Sequence, residues 1–274
     1  SLFLCPICRQ PLRREETRYV CSKRHSYDIA SAGYVHLLPA NQKHSLVPGD
    51  DKNMASARNR FLNSGWYQPL RDAIARIAVE SLPQDGTFFD SGCGEGYYTA
   101  GAKAALDAAG KHPQAAAFDI YLTVSLRLQA GKPAMIFEFA VASAYHLPIP
   151  DQSVDFLLNC FSPLALAEFR RVIRPGGYFL YVVPAPRHLW ELKAAVYDTP
   201  YENEEQTIPY DGFQYVRVER VERQVLLPDS QTIQDLFGMT PYLWKTPRKG
   251  IERLNALEQL EVQTAFDLHL FQRT

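Results

Sequence analysis

The sequence predicts an α/β protein with a mostly parallel sheet, preceded by a small unit built around metal ligands. Two observations support this prediction. From residue 87 to residue 184, short apolar stretches alternate with helical ones, and strands that alternate with helices form parallel sheets. The first 34 residues differ, because they carry three of the five cysteines and short alternating stretches typical of a small β-rich unit.

The predicted elements follow one another along the chain. Apolar side chains at helical spacing predict two helices early in the chain, and Pro83 ends the second. A short apolar strand, a glycine-rich turn and an alanine-rich helix come next, with Gly110 as the helix C-cap. The predicted helices are 54–64, 68–82, 124–133, 163–173, 230–238 and 247–260, and the predicted strands after the turn are 115–121, 135–143, 153–161, 176–184, 213–227 and 262–273.

Composition and charge limit the class of protein. Hydrophobic residues make up 46% and charged residues 22% of the 274 residues, as in an ordinary soluble globular protein. No run of about 18 apolar residues is present, so we expect no transmembrane helix. Because no apolar signal-peptide stretch begins the chain, we expect a cytoplasmic protein.

The net charge is −1, which argues against a strongly basic nucleic-acid binder, but the charge is unevenly distributed. Residues 1–60 contain ten of the 29 basic and five of the 30 acidic side chains, which gives +5 there and −6 in the remainder. Local basic charge is what attraction to phosphate requires. A solvated basic surface is the alternative interpretation.

The stretch FFDSGCGEG, residues 88–96, predicts a cofactor site between a strand and a helix. Gly92, Gly94 and Gly96 allow a tight turn and a close approach of the backbone to a ligand. A dinucleotide site prefers the spacing G-x-G-x-x-G, with its pyrophosphate at the helix N-terminus. Here Glu95 lies inside the turn and disfavours a phosphate, so S-adenosylmethionine (SAM), which has none, fits better.

Further cofactor contacts are expected where the next two strands end. Asp119 follows Gly96 by 23 residues, and a carboxylate at that position accepts hydrogen bonds from both ribose hydroxyls. Ile120 is expected to pack on the adenine, and Ala142 and Ser143 to contact the cofactor from the following loop.

The opening stretch CPICRQPLRREETRYVCSKRH predicts a structural zinc site. Its spacing C-x₂-C-x₁₂-C-x₃-H supplies four ligands, Cys5, Cys8, Cys21 and His25, enough for a closed tetrahedral Zn²⁺ site. Metal binding would also supply folding energy that a segment of this size cannot obtain from a core. The alternatives are reactive thiol pairs or scattered buried cysteines.

The ordered combination of glycine turn and strand-end aspartate resembles class I SAM-dependent methyltransferases. That resemblance implies a Rossmann-like domain with a mostly parallel sheet and an antiparallel last strand. Ser91 departs from the pattern, because the class usually has an apolar residue at that point of the buried strand.

A closer resemblance is carried by four stretches in order: CPICRQPL…YVCSKRHSYDIASAGYVHLL, PGD…M…AR…FL…GWYQPLRDAI, DSGCGEGYYT and PRHLWELK. Together they look like the bacterial 23S ribosomal RNA guanine-N1 methyltransferases. The resemblance implies methylation of the N1 of one guanine in a hairpin loop of 23S rRNA, a zinc module that recognises the RNA, and a homodimer. It divides the chain into a zinc-binding module (1–34), a helical linker covering the cofactor site (35–80) and a methyltransferase domain (81–274).

The family pattern also assigns residues to the two sites. It maps the zinc ligands to Cys5, Cys8, Cys21 and His25. The expected SAM contacts, from the family pattern and the motif positions together, are Tyr67, Asp90, Gly92, Gly94, Glu95, Gly96, Asp119, Ile120, Ala142, Ser143 and His188. Tyr67 could instead be a core aromatic, and His188 a structural histidine.

The stretch NCFSP, residues 159–163, follows a strand where base-methylating enzymes place substrate contacts, so Asn159 and Phe161 are expected to contact the guanine. His188 or water is the candidate acceptor of the N1 proton. The chief alternative function is a SAM-dependent methyltransferase of a small molecule, which would leave the zinc motif and the basic residues 1–60 unexplained. A non-catalytic zinc protein with a decayed core is a second alternative.

Overall fold

The computed structural model describes residues 1–39, 52–120, 137–206 and 208–274. The strands are β1 Leu12–Arg14, β2 Arg18–Cys21, β3 Ser26–Asp28, β4 Tyr34–His36, β5 Thr87–Ser91, β6 Gln114–Asp119, β7 Phe137–Val141, β8 Val154–Cys160, β9 Ile173–Pro184, β10 Phe213–Leu227 and β11 Leu260–Arg273. The helices are α1 Lys52–Asn63, α2 Gln68–Ser81, α3 Tyr97–Ala108, α4 Leu166–Val172, α5 Trp190–Val196, α6 Ser230–Gly238 and α7 Arg248–Asn255, with a 3-10 turn at Pro241–Trp244.

An eight-stranded sheet organises the chain in the order β10-β11-β9-β8-β5-β6-β7-β4. From β4 to β9 the neighbouring strands are parallel, whereas β11 runs antiparallel to both β9 and β10. This is the Rossmann-like class I methyltransferase sheet expected from the sequence. In such sheets the ligand lies beyond the carboxyl ends of the parallel strands.

Apolar side chains fill both faces of the sheet. Phe88 and Phe89 on β5 are fully buried and belong to different core clusters, because successive strand residues point to opposite faces. Phe88 packs with Ile74 and Ile77 of α2. Phe89 packs with Phe169 of α4 on the other face.

The N-terminal segment packs onto the Phe89 face of the sheet. Strands β1, β2 and β3 form a separate three-stranded antiparallel sheet. Phe3, which precedes β1, and Tyr19 of β2 join the core cluster of that face. Buried Glu138 on β7 accepts hydrogen bonds from the Tyr19 hydroxyl at 2.9 Å and the Leu2 amide at 3.0 Å. Strand β4 then pairs with β7 as the outermost strand of the large sheet.

Most predicted elements are present, and three differ. The predicted helix 247–260 ends at Asn255. The predicted strand 176–184 begins earlier, at Ile173, because the residues RPGG, 174–177, lie within β9 as a bulge: Val154 faces Ile173, whereas Phe156 faces Tyr178. Helix α5, Trp190–Val196, has no counterpart among the predicted helices.

The predicted helix 124–133 lies outside the described residues. Within the described part of the chain, no helix is long and apolar enough to cross a membrane.

Candidate active site and metal centre

The glycine-rich turn joins β5 to α3 at the carboxyl edge of the sheet. Gly92, Gly94 and Gly96 have positive φ angles of 94°, 55° and 84°, which residues with a Cβ adopt at a cost. A Cβ on Gly92 would lie 2.3 Å from the Cβ of Ser162. The turn therefore needs glycine both for its conformation and for its approach to the loop after β8.

Two carboxylates flank this turn. The Asp119 carboxylate, at the end of β6, accepts a hydrogen bond from the Gly94 amide at 2.8 Å. Asp90 is buried at the end of β5, where Thr99 donates to its Oδ2 at 2.5 Å. Its Oδ1 is buried and has no hydrogen-bond partner among the residues described. Burial raises the pKa of Asp90 to about 7, against the effect of Thr99.

Helix α1 covers the turn through Glu95. The Asn59 side chain donates to the Glu95 carboxylate at 3.4 Å, and Glu95 is only 9% exposed. Burial raises the pKa of Glu95, while the Asn59 hydrogen bond and the charge of Arg58 oppose the shift. The neighbouring Arg60 binds the buried Asp235 of α6 with bonds of 2.7 to 3.1 Å, which holds α1 over the site.

Four aromatic rings line one side of the site, and they come from α1, from the residue before α2, from β11 and from the residues after β9. The buried Tyr67 packs edge-on against Phe266 at 5.0 Å and against Phe61 at 5.2 Å. The His188 ring lies 4.5 Å from Phe266 and 6.3 Å from Tyr67. Tyr67 and His188 are thus neighbours although 121 positions separate them in sequence.

The hydrogen bonding of His188 determines its tautomer. The Ala265 amide donates to His188 Nδ1 at 3.0 Å, so Nδ1 is an acceptor and Nε2 carries the proton of the neutral ring. Burial, together with the charge of Lys193, lowers the pKa of His188 to about 3. Because its free lone pair is already engaged, this geometry argues against His188 as the base and makes Nε2–H a hydrogen-bond donor.

The NCFSP stretch at the end of β8 places the two expected substrate residues in different environments. Asn159 is fully buried, and its amide donates to Ser162 Oγ at 2.9 Å and to the Pro163 carbonyl at 3.0 Å. Asn159 therefore stabilises the loop through these internal hydrogen bonds. Phe161 is 44% exposed, has a positive φ of 55°, and lies 5.5 Å from Phe266.

The remaining predicted residues lie at the same edge of the sheet. Ile120, 37% exposed, follows β6 directly, and the Ala142 amide after β7 donates to the Asp119 carbonyl at 3.2 Å. Ser143 Oγ accepts from the Tyr145 amide at 3.3 Å. The residue after β7, Ala142, thus lies beside Asp119 at the end of β6.

Two buried cysteines also border this region. Burial raises the pKa of the Cys93 and Cys160 thiols well above their ordinary value. They are therefore small apolar groups at neutral pH, and a cysteine nucleophile has no support.

The metal ligands come together at the N-terminal segment. The ligand atoms of Cys5, Cys8, Cys21 and His25 all lie within 4.8 Å of one another. Cys8 Sγ is 3.7 Å from Cys21 Sγ, and His25 Nδ1 is 3.4 Å from Cys21 Sγ and 3.5 Å from Cys5 Sγ. Tetrahedral Zn²⁺ with ordinary bond lengths would place two sulfurs about 3.8 Å apart and a sulfur and a nitrogen about 3.5 Å apart. The four residues therefore fit zinc.

Neighbouring groups favour the thiolate form of one ligand, Cys5. Tyr27 Oη lies 3.1 Å from Cys5 Sγ. Burial opposes ionisation of Cys5, but hydrogen bonds from Tyr27 and from the Cys8 and Ile7 amides outweigh it and lower the pKa of the thiol to about 6. Zinc binds the thiolate, so this arrangement prepares the site for the metal.

The glycine turn likewise fits SAM better than a phosphate-bearing cofactor. Three carboxylates, Asp90, Glu95 and Asp119, surround it. The unpartnered Asp90 Oδ1 offers an acceptor to a cationic ammonium group, and Asp119 can accept from ribose hydroxyls. Acidic side chains at this turn oppose the binding of a polyphosphate.

Two protein-family models match segments of this chain. Residues 3–46 match a zinc-ribbon family model described as "RlmA, N-terminal", and residues 89–181 match a model described as "Methyltransferase domain". YxjB of Bacillus subtilis strain 168, provisionally named a 23S rRNA (guanine-N1)-methyltransferase, is 31% identical over 280 aligned positions that cover 98% of this chain and 96% of YxjB.

The chain belongs to the 23S rRNA (guanine-N1)-methyltransferase family. A provisionally named family member from Micromonospora griseorubida is 35% identical over 69% of this chain and 67% of its own length. The 23S rRNA (guanine(748)-N(1))-methyltransferase of Streptomyces fradiae is 32% identical over 70% of this chain and 66% of its own length. The protein is thus a SAM-dependent methyltransferase with a structural zinc site.

Two residues at this site, Phe266 and Tyr98, were not identified from the sequence. Phe266 on β11, 2% exposed, lies between Tyr67, His188 and Phe161. Tyr98 on α3 approaches Phe161 at 6.1 Å. Phe266 lies in no motif, because it reaches the site through the pairing of β11 with β9. Tyr98 belongs to the stretch DSGCGEGYYT, and its position two residues after Gly96 is the signal that could have found it.

Proposed function

We propose that this protein transfers a methyl group from SAM to the N1 of a specific guanine in a hairpin loop of 23S rRNA. The observation that supports this most strongly is the similarity to YxjB across 98% of the chain, because it includes both the zinc ribbon and the methyltransferase domain. A small-molecule methyltransferase would need only the second part.

The residues around the glycine turn are proposed to hold SAM. Asp119 accepts from the ribose, Ile120 packs on the adenine, and Asp90 accepts from the ammonium group. Tyr67 closes the site from the side of α2. When bound, SAM supplies a methyl group on a sulfonium, which is a good leaving group, so the protein has to align and desolvate the two reactants.

The guanine is proposed to stack against the aromatic side chains beside Phe161. A base in a structured loop must leave its stack before its ring nitrogen can reach the cofactor. Phe161 presents an exposed ring, and Phe266 and Tyr98 support it at 5.5 Å and 6.1 Å. Packing against these two rings favours a stacking role for Phe161 over the interpretation of an incidentally exposed apolar side chain.

The N1 proton is proposed to leave to water rather than to a side chain. His188 is neutral, and its only lone pair on nitrogen accepts from the Ala265 amide. Its Nε2–H can instead donate to the cofactor or to the guanine. The electron pair of the N1–H bond would stay on N1 when the proton leaves to water and would form the new N–C bond, while the electron pair of the S–C bond would leave on the sulfur.

The rest of the proposal follows the family resemblance. Residues 1–34 would form the RNA-recognition module, residues 35–80 a linker that covers the cofactor, and residues 81–274 the methyltransferase domain. An rRNA substrate is consistent with a cytoplasmic location. The functional unit would be a homodimer.

The test uses tritiated SAM and protein-free 23S rRNA from a strain that lacks the cognate enzyme. The RNA is digested and its nucleosides are resolved. Label in 1-methylguanosine is the expected result, and Asp119→Ala, which removes the ribose acceptor, should abolish it. Label in a different nucleoside would refute N1 as the target. If SAM binds and neither free rRNA nor partly assembled large subunits gain label, the substrate is not this RNA.

A further inference from the structure

Lys193 on α5 carries a buried positive charge that the proposed reaction does not use. Its side chain is fully buried, and the ammonium donates to the Tyr201 carbonyl at 2.9 Å and to Asn203 Oδ1 at 2.7 Å. The ammonium also lies 4.3 Å from the centre of the Tyr201 ring and 5.3 Å from that of the Tyr242 ring. None of these partners is a carboxylate. Burying an ammonium group without a carboxylate costs free energy, which distinguishes Lys193 from an ordinary surface lysine.

Asn203 connects Lys193 to the turn that follows β9. Asn203 Nδ2 donates to the Ala185 carbonyl at 2.9 Å, and the Asn203 backbone amide donates to the Pro186 carbonyl at 2.8 Å. An amide side chain accepts through its oxygen and donates through its nitrogen, so the hydrogen bond from Lys193 to Oδ1 also determines where Nδ2 points. Lys193 therefore orients Asn203 against residues 185 and 186.

The same turn contains His188, a proposed SAM contact. The Ala185 amide donates to the Ala265 carbonyl at 2.9 Å, and the His188 amide donates to the Ala185 carbonyl at 3.0 Å. The Ala265 amide donates in turn to His188 Nδ1 at 3.0 Å. The Ala185 carbonyl thus accepts from both Asn203 and His188. These hydrogen bonds form a continuous path from the Lys193 ammonium to the His188 ring.

Helix α5 joins the two ends of this path through the backbone. The Lys193 amide donates to the Leu189 carbonyl at 3.0 Å, and Leu189 follows His188 directly. Leu189 has a φ angle of 54°, a left-handed conformation that persists in a residue with a Cβ only where the surrounding structure enforces it. The side-chain hydrogen bonds of Lys193 and Asn203 supply part of that constraint.

The charge of Lys193 favours the same state of His188 as the hydrogen bonds do. Burial is the main cause that lowers the pKa of His188, and the positive charge of Lys193 adds to it. Burial also lowers the pKa of Lys193, while the charge of Glu202 opposes that shift. A neutral His188 whose Nδ1 accepts from Ala265 has its proton on Nε2.

We infer that Lys193 is a positioning residue of the methyltransferase site: through Asn203 it holds the turn 185–188 so that His188 directs its Nε2–H towards SAM. The inference rests on the proposed role of His188 as a SAM contact. The alternative is a lysine that only stabilises the loop between α5 and β10. That alternative predicts a loss of stability without any change at His188.

Two substitutions and their combination test the path. Lys193→Met keeps an unbranched side chain and removes the ammonium, and Asn203→Ala removes the connecting amide. Each variant should bind SAM about tenfold more weakly in calorimetry. If Lys193 acts through Asn203, the double variant should also lose about tenfold, whereas independent contributions would multiply to about a hundredfold. Asn203→Ala by itself tests the path if Lys193→Met does not fold.

Lys111→Met is the matched control. The Lys111 ammonium also donates to two acceptors, the carbonyls of Val79 at 2.6 Å and Leu82 at 2.5 Å. Both lie at the end of α2 that is remote from Tyr67. Lys111→Met should therefore lower stability and leave SAM affinity unchanged.

The tautomer of His188 gives a readout that needs neither SAM nor RNA. In ¹⁵N NMR of histidine-labelled protein, the wild type should show His188 with Nε2 protonated and Nδ1 unprotonated. Its signals are identified by their loss in His188→Asn. In Lys193→Met the two nitrogen shifts should move towards each other, because a less constrained turn allows both tautomers. Lys111→Met should keep the wild-type pattern.

Three results would overturn the inference: wild-type SAM affinity and wild-type His188 signals in Lys193→Met, a double variant that binds SAM about a hundredfold more weakly, or the same changes in Lys111→Met. Failure of the proposed function gives a different result. If His188→Asn binds SAM as tightly as the wild type while Lys193→Met still shifts the His188 signals, the SAM contact is refuted and the positioning of His188 by Lys193 is supported.

Discussion

Replacing Gly92 by alanine should both strain the glycine turn and force it against the loop after β8. The φ angle of 94° disfavours any residue with a Cβ, at about 1–2 kcal/mol. The new Cβ would lie 2.3 Å from Ser162 Cβ and 2.4 Å from its Oγ. Relieving that overlap costs about 1–3 kcal/mol more, so we expect unfolding free energy to fall by about 2–5 kcal/mol.

Gly110→Ala separates the two contributions. Gly110 also has a positive φ, 68°, but a Cβ there would meet no atom within 4 Å. Its substitution should therefore cost only the conformational part, about 1–2 kcal/mol. Urea unfolding of both variants measures the difference, which we expect to be about 1–3 kcal/mol.

The clash has a second consequence, for the cofactor. Ser162 Oγ donates to the Ser91 carbonyl at 2.5 Å, so its displacement disturbs the end of β5 where Asp90 lies. Gly92→Ala should weaken SAM binding in calorimetry, whereas Gly110→Ala should not. If Gly92→Ala costs no more stability than Gly110→Ala and binds SAM normally, the close approach of turn and loop is not the constraint that we describe.

Three further predictions address the zinc site, His188 and Phe161. Chelating the zinc should lower the melting temperature, since a ligand of the folded state at a thousand times its Kd stabilises by about 4 kcal/mol; an unchanged melting temperature in protein shown to be metal-free would refute a structural role. Burial lowers the pKa of His188 from 6.5 to about 3, so the neutral ring contributes stability that is fully present above pH 6.5 and is lost as the pH falls towards 3. Between pH 6.5 and about pH 5, the free energy of unfolding of His188→Asn should therefore fall by roughly 1.5 kcal/mol less than that of the wild type. An equal fall in the two proteins would contradict the assignment. Phe161→Ala should reduce kcat/KM for rRNA roughly 5- to 100-fold with unchanged SAM affinity, because base stacking contributes about 1–3 kcal/mol; Phe161→Tyr should retain most activity, and equal losses in both variants would argue against stacking.

The sequence by itself determined the features that depend on local spacing. A tetrahedral zinc site needs ligands in close pairs, and the pairs Cys5–Cys8 and Cys21–His25 are visible without any structure. The turn at Gly92, Gly94 and Gly96 is also local. Alternation of strands and helices determined the parallel sheet, because both periods can be read over a few residues.

Only the tertiary structure decided which distant side chains meet. Phe266 approaches Tyr67 because β11 inserts between β9 and β10, and no periodicity records that order. The role of His188 depended on a backbone amide, Ala265, 77 positions away. Asn159 and Phe161 looked alike as substrate contacts, yet one is fully buried and the other exposed. Residue type limits what a side chain can do, but strand order and burial decide its hydrogen-bond partner and its charge, and these depend on contacts between parts of the chain that are far apart in sequence.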